Sequence, residues 1–122
     1  MPYPHLTYDL GVAMEVKGVQ GSIRYEDGWI TIVKKELGSQ AREFRIRAAD
    51  VTGTRFKPGG LAFHGYVQFL LPGSAPAAEN RGPMTGGRPP QSDPHSLSIP
   101  RRSNDAAQKL IAAVEQDRGL SQ

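Results

Sequence analysis

Apolar residues recur at every second position in runs that begin at Leu10, and this period of two restricts those runs to extended, sheet-forming structure. Leu10, Val12, Met14 and Val16 alternate with Gly11, Ala13, Glu15 and Lys17. The alternation places the apolar set on one face of a strand. After Gly18 and Gly21, Ile23 and Tyr25 share a face opposite polar neighbours, and Asp27-Gly28 follows. A two-residue Asp-Gly between such runs is a strong hairpin signal, so Gly21–Glu26 and Trp29–Lys34 are predicted to pair around it.

Further along, Phe44 and Ile46 alternate with Arg45 and Arg47, which predicts a strand with one face in water. Val51 to Lys57 is a further β-compatible run, ended by Pro58-Gly59-Gly60. Leu61 to Leu71 is the most β-like window, with Phe63, Val67, Phe69 and Leu71 on one side and His64, Tyr66, Gln68 and Leu70 on the other. Residues 72–94 are dense in proline and glycine and poor in large apolar side chains, so they read as a mobile loop that cannot offset the entropy of ordering. A short strand from His95 to Ile99 stops at Pro100. Ser103 or Asn104 then suits a helix cap. From Asp105 to Arg118 the residues Ala107, Leu110, Ile111 and Val114 fall at helical spacing, and Gly119 reads as a stop.

A chain of 122 residues accommodates one hydrophobic core. The predicted fold is mainly β with one C-terminal α-helix: a curved β-sandwich or partly open barrel of about seven strands, capped by the helix. The domain spans residues 10–118, after an N-terminal extension at 1–9 and before a tail at 119–122. The apolar stripe of the helix is expected to plug the sheets rather than to bind a partner.

The order of motifs resembles an actinobacterial, pleckstrin-homology-like domain family of unknown function, often joined to a short C-terminal oligomerisation domain. The resemblance runs through Met14-Glu15-Val16-Lys17-Gly18, Gly21-Ser22-Ile23 and Trp29-Ile30-Thr31-Ile32. It is clearest in Phe56-Lys57-Pro58-Gly59-Gly60-Leu61 followed by Gly65-Tyr66-Val67-Gln68-Phe69, and it closes with Ser96-Leu97-Ser98-Ile99 and the helix containing Leu110 and Val114. It implies a pleckstrin-homology-like fold and the habit of such folds to bind proteins or anionic lipid heads. It supplies no catalytic residues.

The absence of cysteine excludes disulfides, thiolate metal sites and cysteine nucleophiles, and is compatible with a reducing, cytoplasmic setting. No signal sequence or apolar membrane-spanning run is visible. His5, His64 and His95 lack ligand-like spacing, and no phosphate loop, nucleophile elbow or paired-carboxylate motif occurs. Neither an enzyme activity, a cofactor nor a metal is therefore expected.

The formal charge of +3 is unevenly distributed: residues 34–57 hold seven bases against three acids, whereas residues 1–33 hold two bases against four acids. Arg45 and Arg47 share one side of their strand, and Arg55 and Lys57 share one side of theirs. If the two strands are neighbours, these cations form a basic face suited to carboxylate or phosphate; the alternative is an ordinary solvated surface. Nucleic acid is not an expected partner, because Tyr66 and Trp29 are not interleaved with bases, and Trp29 reads as a packing residue at the hairpin start. The expected function is a non-enzymatic binding or adaptor domain contacting another protein. The alternatives are weak anionic-lipid or phosphoinositide-type binding through the basic strands, or a phage-encoded modulator of a host protein.

Overall fold

A computed structural model describes residues 13–35, 40–73 and 93–120. Seven strands and one long helix occur among them: β1 (Met14–Gly18), β2 (Gly21–Glu26), β3 (Trp29–Lys34), β4 (Arg42–Arg47), β5 (Gly53–Lys57), β6 (Gly65–Leu70), β7 (Ser96–Ile99) and α1 (Asn104–Leu120). Strands β1 to β4 form one antiparallel sheet in sequence order, and β5 to β7 form a second. No ladder joins β4 to β5, so the expected sandwich is present and the barrel does not close.

The predicted hairpin is in register around Asp27-Gly28, with Glu26 opposite Trp29 and Tyr25 opposite Ile30. Both turn residues have left-handed φ, 55° for Asp27 and 82° for Gly28. That conformation matches the right-handed twist of the flanking strands, which is why Asp-Gly is favoured there. The pairing turns Ile23, Ile30 and Ile32 inward together with Val16 of β1. The second sheet contributes Val67, Phe69, Leu97 and Ile99, and α1 contributes Ala107, Leu110 and Val114, all within one core. Ile111 is half-buried at the margin of the helical stripe. The terminal helix is the expected plug.

Three local expectations are corrected. Leu61 to Leu71 is not one strand, because β6 starts only at Gly65 and residues 61–63 form a bend with Leu61 and Phe63 exposed. A Cβ on Gly65 would collide with the Lys57 carbonyl oxygen, and one on Gly59 would lie 2.8 Å from the Arg101 amide nitrogen. These close backbone approaches turn the chain before β6 can begin. The helix also passes through Gly119 to Leu120, as ends governed by weak signals commonly shift by one or two residues. Finally, the two candidate capping residues bond across the structure: Ser103 donates to the Lys17 carbonyl at 2.6 Å, and Asn104 pairs with the backbone of Gly59.

Most of the proline- and glycine-rich segment, the N-terminal extension and the end of the tail lie outside the described residues. Asp93, at the far margin of that segment, is held in place. Its carboxylate accepts from buried Gln68 at 2.7 Å and from the His95 amide at 2.9 Å, and its carbonyl accepts from Lys34 at 2.7 Å.

Candidate functional site

The alternation of β3 turns Ile30 and Ile32 to the core, so Trp29 and Thr31 must face outward. On β4 the same rule turns Phe44 and Ile46 inward and Glu43, Arg45 and Arg47 outward. Strand pairing then arranges the outer face of the four-stranded sheet in rows. One row reads Glu26, Trp29, Arg47, and the next reads Glu15, Arg24, Thr31, Arg45.

Arg47 is directly opposite Trp29, and its guanidinium carbon lies 5.6 Å from the indole centroid. Arg45, the diagonal neighbour, is closer, at 4.5 Å. Diagonal cross-strand contacts of this kind are within reach of long side chains on a twisted sheet. Two guanidinium groups therefore stack on one indole that is itself 37 % exposed. Each cation–π contact at such an exposed site contributes about 0.5–1 kcal/mol. Each contact also restricts a flexible cation before any partner arrives.

The nearest carboxylate in the row, Glu26, is paired with Arg24 at 3.1 Å. Among the described residues neither Arg45 nor Arg47 takes part in an ion pair. Their donor edges are thus free to meet an acceptor while their faces rest on the indole. A guanidinium held in this way presents planar donor pairs suited to carboxylate.

The sequence-predicted cluster of four cations is divided. Arg55 and Lys57 stand on β5 of the other sheet, on the side shared with Gln68 and Tyr66 of β6 and opposite to that of Phe56. The strand pairing that would have united them with Arg45 and Arg47 does not exist. Trp29 joins the site in their place. It does act as a packing residue, but under arginine on the outer surface. The signal for this was its parity with Thr31 and against Ile30, once Asp27-Gly28 had fixed the register.

The two described histidines lie away from this face, His64 exposed just before β6 and His95 just before β7, where its carbonyl accepts from the Phe69 amide at 2.9 Å; His5 lies outside the described residues. Among the described residues no group of three potential ligands could hold a metal ion, and no helix is long and apolar enough to cross a membrane.

No curated protein and no solved structure matches the sequence. One family model does, over residues 19–115, from the turn after β1 to the body of α1. This stretch takes in six of the seven strands and most of the helix. The chain belongs to the DUF4429 family, a domain of unknown function.

Proposed function

We propose that the chain is a non-enzymatic binding domain, pleckstrin-homology-like in kind, that contacts another protein through the outer face of its four-stranded sheet. The fold assignment is supported by the order of elements: four antiparallel strands, three more in a second sheet, then a helix plugging the core. This is the architecture that the motif resemblance implies. The lack of cysteine supports a cytoplasmic setting.

The observation that carries the reading is the Arg45–Trp29–Arg47 stack. Tryptophan and arginine are the residues most enriched where binding energy concentrates at protein interfaces. Here both are ordered in advance on a rigid sheet, and the available donors select an acidic segment. Affinity capture from the producing cells, run in parallel with the wild-type chain and R45E/R47E, tests the proposal. The expected result is an acidic protein retained by the wild type at low salt and lost with the variant. Equal recovery of the same proteins by both chains would refute it.

A further inference from the structure

At one end of the sandwich, away from Trp29, the bend between β5 and β6 carries two large apolar side chains into solvent, with Leu61 90 % and Phe63 76 % exposed. The bend is held firmly. The Gly60 amide donates to the Phe63 carbonyl at 2.8 Å, closing the turn. At its base, the Asn104 side chain accepts from the Gly59 amide at 2.8 Å and donates to the Gly59 carbonyl at 3.0 Å. Ordered structure thus holds two large hydrophobes close together in water, and grouped apolar exposure is the kind that marks interaction surfaces.

Bases surround the bend. Lys57 immediately precedes it, and Arg101 and Arg102 are exposed on the 3₁₀ turn against which Gly59 packs. The turn after β1 joins the same end, through a hydrogen bond from the Val19 amide to the Ser98 carbonyl at 2.9 Å and one from Ser103 to the Lys17 carbonyl. It adds a further exposed apolar residue, Val19, and the cation Lys17. Asp105, in the first turn of α1, is the neighbouring acid. Residues 57–65 contain no carboxylate.

We infer that this end docks on an anionic bilayer surface, with Leu61 and Phe63 entering the interfacial layer and Lys57, Arg101 and Arg102 resting against acidic headgroups. The charge complementarity decides the occupant. An apolar tip ringed by bases matches a surface that is oily within and negative at its boundary, and the two attractions add. Because the bend is already ordered, docking immobilises little further chain. The inference concerns a surface separate from the Arg45–Trp29–Arg47 face and stands independently of it.

The test is co-sedimentation of the full chain with phosphatidylcholine vesicles, with and without phosphatidylglycerol, at low and high salt. The wild type is expected to sediment only with the anionic vesicles and to be released by salt. Both L61S/F63S and R101E/R102E should weaken sedimentation about tenfold or more, a loss equivalent to about 1.4 kcal/mol, while R45E/R47E sediments like the wild type. Since all four substituted side chains at this end are exposed, an unchanged melting temperature will show that folding is intact. Failure to sediment with phosphatidylglycerol vesicles at low salt overturns the inference, as does unchanged sedimentation of L61S/F63S. Loss in R45E/R47E alone would also overturn it, by assigning the contact to the sheet face. So would a wild-type dimer in solution that L61S/F63S abolishes, because a second copy would then be the occupant.

Discussion

The phenol of Tyr25 on β2 donates a hydrogen bond to the carboxylate of Asp117 on α1, joining residues 92 positions apart. Burial first, and then the bond to Asp117, push the phenol's pKa well above its ordinary value, so it remains a donor throughout the range in which the protein is handled. This contact ties the C-terminal part of the helix to the four-stranded sheet by a polar bond in addition to its apolar stripe. Tyr25→Phe should lower stability by about 1.5 kcal/mol, towards the low end for hydrogen bonds to charged groups. Denaturant unfolding, with Asp117→Asn and the double variant completing a cycle, measures the coupling.

Leu110 is wholly buried beside Ala107 and Val114, so Leu110→Ala removes core atoms that no solvent can replace. The expected cost is about 2–5 kcal/mol. An unchanged unfolding midpoint would mean that the stripe does not cover the sheets.

Glu115 accepts hydrogen bonds from Thr54 and Arg118, both at 2.7 Å. Burial alone would raise its pKa, but these two bonds and the Arg118 charge outweigh it and hold the carboxyl below the usual carboxylate range. The folded value is therefore lower than the unfolded one. The stabilisation is complete above the unfolded value, near pH 4.5, and is lost as pH falls through the folded value. Glu115→Gln should make the acid-side loss of stability shallower without changing its sign. Because the group is partly solvated, the effect will be small. Unfolding titrations across the acid range read it.

Gly65→Ala is expected to destabilise by about 1–3 kcal/mol, since the added methyl must push the backbone from Lys57 to Gly59 away from the start of β6. The same change should loosen the contact of Asn104 with Gly59. Thermal unfolding measures the first effect, and amide exchange at Gly59 and Gly60 measures the second.

The strands, the hairpin register and the helical stripe were legible because each is written in a local period: two for β1 to β4 and near 3.6 for α1. The bend at Leu61 and Phe63 was not legible. These residues have the composition of a strand, and only the backbone crowding around Gly59 and Gly65, set by distant partners, shows that the chain turns there. For the site, the outward parity of Arg45 and Arg47 could be read directly. That Arg55 and Lys57 lie on a different sheet could not, because periodicity says which face a residue takes and nothing about which strands are neighbours. Trp29 stood between the two cases. Its parity was available, and it was legible as a packing residue at the hairpin start, but not that its packing partners are Arg45 and Arg47.

Trp29 is the sole tryptophan and sits under the two arginines, so its emission reports directly on the face proposed to bind. The decisive measurement is the stopped-flow association rate of the captured acidic partner, followed by this fluorescence for the wild type and R45E/R47E over a range of salt concentrations. The account predicts a wild-type rate that falls steeply with salt and a slower, nearly salt-independent rate for the variant, with both chains equally stable. Equal rates for the two chains at every salt concentration would contradict it.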